Sequence, residues 1–158
     1  HRLDRDTSGI VIMGMTRKAH ADLSMQFEKR QIKKTYIARV WGMMEGDNGH
    51  IDLPLGVDWE NRPKQIIDYE SGKSAQTDWE VMAREGNVTR VRLAPTTGRS
   101  HQLRVHMLSL GHPILGDVFY AQGAALEAAP RLQLHAETLT FTHPESGEIR
   151  SFSAVCPF

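Results

Sequence analysis

The chain of 158 residues contains one cysteine, carries no net charge and has no long apolar segment. A single cysteine excludes an intrachain disulfide and is typical of a reducing compartment, so we expect a cytoplasmic protein in which Cys156 serves packing. No apolar run approaches the ~20 residues of a membrane-spanning helix, so we expect no membrane association. The length predicts one domain over residues 1–158, which we expect to be monomeric. Because the sequence begins at His1 without an initiator Met or a signal-peptide pattern, we expect residues upstream of it to be missing.

The neutral total conceals an uneven distribution of charge. Residues 1–40 hold nine Lys and Arg against four Asp and Glu, whereas residues 41–158 hold ten against fifteen. A basic N-terminal region suits a polyanion such as a nucleic acid. A solvated helix face explains the same residues about equally well, so charge alone does not identify a partner.

Hydrophobic periodicity and turn residues predict a fold of class α+β. Helices are expected at Arg17–Arg30, capped by Thr16, and from Ser100, as the cap, to Leu110. Turns at 85–87 and 144–147 predict hairpins, so the sheet should be mixed but mostly antiparallel, with flanking helices. Strands are expected at Gly9–Met15, Thr35–Gly42, Gln65–Tyr69, Ala75–Ala83, Val88–Leu93, Leu132–Thr142 and Ile149–Ala154.

A dense polar loop at residues 1–9 leads directly into an apolar segment. An Asp in such a loop can reach a ligand from a rigid scaffold, which makes Asp4 a candidate nucleophile or base. Calcium is a competing interpretation, because Asp4, Asp6 and Ser8 fall at the first, third and fifth positions of an EF-hand loop. The twelfth position, however, is Met15 where an EF-hand has Glu, and a strand is predicted where it has a helix. The alternative that these side chains only shape a turn stays open.

A second polar segment, Thr97–His106, opens the second predicted helix. Its apolar positions Leu103, Met107 and Leu110 are spaced for burial, and Arg104 lies beside them, so we expect its head at the edge of the core. Free backbone donors at the helix start could bind phosphate. The two histidines of this segment are five residues apart, which is the wrong spacing for zinc ligands on one helix face, so we expect no metal site.

Together these segments resemble the RluA family of RNA pseudouridine synthases. The resemblance rests on several motifs in order along the chain: His1-Arg2-Leu3-Asp4 with Thr7-Ser8-Gly9, Thr97-Gly98-Arg99 with Gln102–His106, Gly111–Asp117 with Tyr120, and Leu134-His135-Ala136 with His143-Pro144. It covers nearly the whole chain. The family also has an upstream segment, with a strand and a Lys-Pro motif, that this sequence does not contain.

The resemblance implies the pseudouridine synthase catalytic fold and an isomerase that converts specific uridines of structured RNA without a cofactor. By the match of motifs, Asp4 is the nucleophile, which adds covalently to the substrate or removes a ribose proton to give a glycal. Arg104 pairs with Asp4 and orients it, and Tyr36 stacks on the uracil. The phenol of Tyr36 is also suited to proton transfer at carbon 5, although a free phenol, with a pKa of about 10, is a poor base.

The substrate implied by the resemblance is a stem-loop, because a stacked uridine must leave its helix or loop to meet Asp4. Within the family, the segment Asp58–Gln65 resembles members with dual specificity for a 23S rRNA hairpin and a tRNA anticodon stem-loop, at uridine 746 and uridine 32 respectively. Arg2, beside Asp4, either fills the space that the base vacates or contacts a phosphate. The candidate RNA-binding residues are Arg2, Lys33, Lys34, Arg62, Lys64, Arg99 and His101.

Three alternatives remain open from the sequence. A family member could act on ribosomal RNA alone. A catalytically inactive RNA-binding domain would keep the basic region without needing Asp4, Tyr36 and Arg104 together. A hydrolase with an Asp nucleophile would also need a base that activates water. Release of tritium from carbon 5 of labelled uridine separates a synthase from the last two classes.

Overall fold

The computed structural model describes all of residues 1–158 and divides them into nine strands and three helices. The helices are α1 (Arg17–Glu28), α2 (Gln102–Ser109) and α3 (Gly123–Glu127). The strands are β1 (Ser8–Gly9), β2 (Lys33–Trp41), β3 (Asn48–Asp52), β4 (Leu55–Val57), β5 (Gln65–Ile67), β6 (Gln76–Glu85), β7 (Val88–Pro95), β8 (Leu134–Thr142) and β9 (Ile149–Ser153). None of the helices is long and apolar enough to cross a membrane.

One seven-stranded sheet organises the molecule. Its strand order is β1-β8-β2-β7-β6-β3, with β9 paired to β8, and β4 and β5 form a separate two-stranded sheet. Only β1 and β8 run parallel, whereas every other pair is antiparallel. The predicted α+β class with a mostly antiparallel sheet is therefore confirmed.

The main core lies between the centre of the sheet and α2. On β2, Tyr36, Ala38 and Val40 share one buried face, as their alternation predicts, and they pack with Leu103 and Met107 of α2. A smaller apolar cluster joins α1 to β8 through Leu23, Ile32, Leu139 and Phe141. Residues of α1 and of the start of α2 line the cleft described below, together with Lys34 and Tyr36 of β2.

The predicted strand Gly9–Met15 is wrong beyond its first residue. Only Ser8 and Gly9 pair with β8, and the backbone N–H of Ile10 makes the last bond to it, at 3.0 Å from the carbonyl oxygen of Ala136. Beyond that point Ile10 and Ile12 pack against the cluster on α1, while Val11 and Met13 are exposed. Their alternation is real, but it faces a helix instead of continuing a sheet.

The start of α2 also differs from the prediction. Ser100 is not its cap, because the residue before the helix is His101, which has a left-handed backbone (φ 54°) and no capping side-chain bond. The side-chain carbonyl of Gln102 instead accepts from the Arg99 backbone N–H at 3.1 Å, and Leu110 lies partly exposed beyond the helix end. The first helix fits the prediction better, since Thr16 caps it by accepting from the backbone N–H of Ala19.

Three short elements were not predicted. They are β3, β4 and α3, which have three to five residues each and little alternation of apolar with polar positions. Short segments of this kind are held by their tertiary neighbours, so the local sequence carries little signal for them. The predicted hairpin of β6 and β7 is confirmed, with Gly86 at a positive φ in the turn.

Candidate active site

The two polar segments of the sequence meet in one cleft of about 890 Å³. It is bounded by the loop at residues 1–7, by α1, by β2 and by residues 95–104. The lining of the cleft is basic, although the chain as a whole is neutral. It contains five Lys and Arg and two carboxylates: Arg2, Arg30, Lys34, Arg99 and Arg104, and Asp4 and Glu28. A cleft of one sign of charge concentrates ligands of the opposite sign.

A turn and a close contact with β8 hold the loop that carries Asp4 on the C-terminal side of that residue. The backbone N–H of Thr7 donates to the carbonyl oxygen of Asp4 at 3.0 Å, which closes a turn around the side chain. Gly9 then lies so close to β8 that an added Cβ would be 2.1 Å from the carbonyl oxygen of Ala136, and its φ of +110° excludes most other residues. The Asp4 side chain is 18% exposed, so it is accessible from the cleft yet mostly enclosed.

Arg104 joins Asp4 to a second carboxylate in the interior. Its Nε and Nη2 donate to the two oxygens of Asp117 at 2.8 and 2.6 Å, which leaves Nη1 to donate to Asp4 at 3.3 Å. The Arg104 side chain lines the cleft at the edge of the core, as predicted, but it is only 3% exposed and thus more deeply buried than the sequence indicates. Burial alone would lower the pKa of Arg104, but the bonds and charges of Asp117 and Asp4 raise it. This guanidinium is therefore a permanent, rigidly held cation.

Asp117 is the functional candidate that the sequence reasoning missed. It is completely buried, and one of its oxygens also accepts from the backbone N–H groups of Phe119 and Tyr120, at 3.0 and 3.3 Å. The only signal for it in the sequence is its position at the end of one of the motifs quoted above. Its role follows from the burial of Arg104, because a buried Arg needs a carboxylate partner, and the sequence does not show how deeply Arg104 is buried.

Two aromatic rings cover the Arg104 guanidinium, and one of them connects it to the two-stranded sheet of β4 and β5. Phe119 and Tyr120 place their ring centres 5.3 and 5.1 Å from the Arg104 head. The Tyr120 hydroxyl accepts from the backbone N–H of Gln65 at 2.8 Å and bonds Nδ1 of His101 at 2.6 Å. Burial raises the pKa of Tyr120 to about 12, and burial, only partly opposed by Asp4, lowers the pKa of His101. We therefore assign a neutral imidazole to His101, whose Nδ1 accepts a hydrogen bond from the Tyr120 hydroxyl.

Tyr36 brings an aromatic ring into the cleft from the sheet. It is 9% exposed, and it lines the cleft together with Asp4 and Arg104, so the three predicted catalytic residues meet in one place. Burial, together with the negative charge of Asp4, raises the pKa of Tyr36 to about 12. A phenol that remains protonated at neutral pH is better suited to stacking and to proton donation than to acting as a base.

The predicted RNA-binding residues divide into two groups. Four of them line the cleft: Arg2, Lys34, Arg99 and His101. Arg99 is partly engaged, since its Nε donates to the backbone carbonyl of Ser74 at 3.0 Å. The other three, Lys33, Arg62 and Lys64, do not line it. Arg62 lies on the loop between β4 and β5, where it stacks on the exposed ring of Trp59 at 4.2 Å.

No cluster of three or more His, Cys, Asp and Glu side chains has the arrangement of a metal site. Within the cleft lining, the hydroxyl of Thr7, on the loop that carries Asp4, is buried without a hydrogen-bond partner. It was not singled out from the sequence, where it is one of several polar residues in a turn.

The family profile described as RNA pseudouridylate synthase matches residues 1–109, which include Asp4, Tyr36 and Arg104 but not Asp117. The chain belongs to this family. It is an RNA pseudouridine synthase, and the predicted resemblance is confirmed.

Proteins similar in sequence match this chain over its whole length. It is 57% identical to a Yersinia pestis protein and 55% identical to an Escherichia coli K12 protein, both named dual-specificity RNA pseudouridine synthase RluA. It covers 77% and 73% of their lengths. Among solved structures, human RNA pseudouridylate synthase domain containing 1 has 32% identity and a TM-score of 0.88, with 100% of this chain and 68% of that chain covered. Human RNA pseudouridylate synthase domain containing 4 shares the fold, with 24% identity and a TM-score of 0.81. The match covers 99% of this chain and 70% of that chain.

Proposed function

We propose that this pseudouridine synthase has dual specificity and modifies both a 23S rRNA hairpin and a tRNA anticodon stem-loop. The observation that carries the proposal is the 55–57% identity, over the entire chain, to proteins named for dual specificity. Uridine 746 of 23S rRNA and uridine 32 of tRNA are the target positions that we propose. The proposal includes a cytoplasmic, monomeric enzyme with no added cofactor.

The reaction needs no external reagent because it is an isomerisation. The bond from uracil N1 to the ribose C1′ breaks, the uracil turns, and a bond from C5 to C1′ forms. The hydrogen at C5 leaves as a proton and a proton is gained at N1, so electrons and atoms balance. We assign Asp4 as the group that either attacks the nucleotide covalently or removes a ribose proton.

Arg104 supports Asp4 in this proposal. Its Nη1 contact with Asp4 offers a fixed positive charge to the carboxylate, and its bidentate contact with Asp117 prevents the guanidinium from turning away. Because both groups are largely withdrawn from water, their attraction is stronger than that of an exposed pair. Tyr36 supplies a ring for the uracil and a phenol that can take part in the proton transfer at C5.

The cleft is open to a nucleotide that has left its stack. Extrusion costs a few kcal/mol and is least costly in a loop, which favours short hairpins as substrates. The basic lining suits the phosphates on either side of such a nucleotide. We therefore expect changes of loop bases to reduce activity more than exchanges of base pairs in the stem.

Two experiments test the proposal at its two levels. Release of tritium from RNA labelled at C5 of uridine reports catalysis on isolated hairpins, and we expect release from both hairpins. Mapping of pseudouridine in RNA from cells lacking the gene reports the natural targets. If only ribosomal sites lose their modification and the anticodon loop keeps its own, dual specificity is wrong and an enzyme restricted to ribosomal RNA takes its place.

A further inference from the structure

Two adjacent lysines, Lys33 and Lys34, occupy opposite faces of β2. Side chains alternate along a strand, so Lys34 shares the face of Tyr36 and lines the cleft, whereas Lys33 points the other way and does not line it. The sequence alone treats the two as one basic pair. The structure makes them different groups, one inside the site and one outside it.

Lys34 is a half-buried cation without a partner in the protein. Its ammonium has no carboxylate within 4.0 Å and makes no side-chain hydrogen bond, whereas Arg104 in the same cleft has two carboxylates. Burial without a compensating anion lowers the pKa of Lys34. Since partly buried charges are normally paired, the missing counter-ion points to a ligand.

The surroundings of Lys34 restrict what that ligand is. Its Nζ lies 5.9 Å from the ring centre of Phe27, and only 3.3 Å from where a Cβ on Gly98 would be. Gly98 therefore leaves open space beside the ammonium. Two residues along a strand span roughly 7 Å, which is comparable to the reach of one nucleotide from its base to its phosphate. A uracil at Tyr36 thus brings one of its flanking phosphates towards Lys34.

We propose that Lys34 binds a phosphate that flanks the target uridine, and that Lys33 contacts neither flanking phosphate. The inference rests on the proposed function, in which a uridine lies extruded between Asp4 and Tyr36. Lys34 thereby holds the extruded nucleotide in the cleft. This contact with one phosphate is distinct from the general electrostatic attraction of RNA.

The test replaces one phosphate at a time. Hairpin RNAs are prepared with a neutral methylphosphonate on the 5′ side or on the 3′ side of the target uridine, and their dissociation constants are measured for the wild type, Lys34→Gln, Lys34→Arg and Lys33→Gln. We expect one of the two neutral linkages to weaken wild-type binding by about 10-fold, the scale of one charged hydrogen bond. The same linkage should cost Lys34→Gln less than 2-fold, because its partner is already lost.

Lys33→Gln and Lys34→Arg serve as matched controls and should both retain the wild-type response to that linkage. Thermal unfolding of each variant separates a folding defect from a lost contact. If Lys34→Gln responds to both neutral linkages as the wild type does, or if Lys33→Gln loses the response instead, the assignment is wrong. Tritium release on the unmodified hairpins is measured separately, so a failure of the proposed reaction is distinguished from a failure of the phosphate contact.

Discussion

The inner end of the cleft and its rim use positive charge in different ways. At the inner end, Arg104 is 3% exposed and donates three hydrogen bonds to two carboxylates. At the rim, Arg2 and Lys34 have no carboxylate within 4.0 Å. Positive side chains thus hydrogen-bond to carboxylates at the inner end, whereas at the rim they lack a carboxylate partner and can bind other anions.

The difference follows from the cost of burying charge. An ion withdrawn from water needs a partner with good geometry, so the buried Arg104 comes with Asp117 and gains a fixed orientation. Arg2 is exposed and keeps its hydration without a partner, whereas the half-buried Lys34 lacks a counter-ion, and both can gain a phosphate contact. We conclude that the inner end supplies geometry for the reaction and that the rim supplies affinity for RNA.

The largest expected effect comes from removing the carboxylate at the inner end. Asp4→Asn should lower turnover by roughly 10⁴-fold or more, the scale seen when an enzyme loses its nucleophile, and leave RNA affinity within a few fold. Single-turnover tritium release and a dissociation constant measure the two quantities. Asp6→Asn is the matched control, since Asp6 lies in the same loop with an exposed partner. Substantial pseudouridine formation by pure Asp4→Asn protein would remove Asp4 from its assigned role.

The next effect concerns the partner that fixes Arg104. Asp117→Asn leaves the buried guanidinium with one carboxylate fewer, so the free energy of unfolding should fall by about 3 kcal/mol. Misplacement of Arg104 by about 1 Å should lower turnover by about 10²-fold, and Arg104→Lys should do the same because an ammonium lacks the planar fork. Chemical denaturation and tritium release measure these effects.

Asp78→Asn is the control for the loss of a carboxylate partner elsewhere. Asp78 is paired with His50 on the exposed surface, so its removal should change the unfolding free energy by less than about 1 kcal/mol and leave turnover unchanged. If Asp117→Asn retains wild-type turnover at temperatures where it is folded, the bidentate contact has no part in orienting Asp4.

The sequence predicted most of the sheet, because β2, β6, β7 and β8 have alternating patterns that survive into the fold. It also identified Asp4, Tyr36 and Arg104, which the structure brings together, although their assigned roles still await the variants described here. Two features escaped it for physical reasons. The burial of Arg104, and hence the need for Asp117, arises from packing between distant segments. The division of Lys33 from Lys34 depends on which face of a strand borders the cleft.

Tyr36 tests whether the inner end also moves a proton. Tyr36→Phe keeps the ring, so RNA affinity should stay within a few fold, while loss of the phenolic proton should lower turnover by about 10²-fold. Because its pKa is raised to about 12, the phenol stays neutral well above pH 7, and turnover should not rise with tyrosine ionisation between about pH 7 and about pH 9. A pH–rate profile measures this. Wild-type turnover in Tyr36→Phe would leave the residue a stacking role alone.

The smallest expected effect separates cations at the rim of the cleft from cations beyond it. Arg2 lines the cleft, whereas Arg5 is almost fully exposed in the same loop and lies 3.9 Å from Asp6. If Arg2 contacts a phosphate, Arg2→Gln should reduce the slope of log affinity against log salt by roughly 0.7–0.9, and Arg5→Gln should leave it unchanged. Binding titrations at several salt concentrations measure both slopes. If Arg2→Gln binds RNA more weakly but keeps the wild-type salt slope, the other role of Arg2 is favoured, in which its side chain fills the space left by the uridine.

Equal reductions of the salt slope in Arg2→Gln and Arg5→Gln would show that the loop attracts RNA through its total charge. The contrast between the rim and the remaining surface would then disappear.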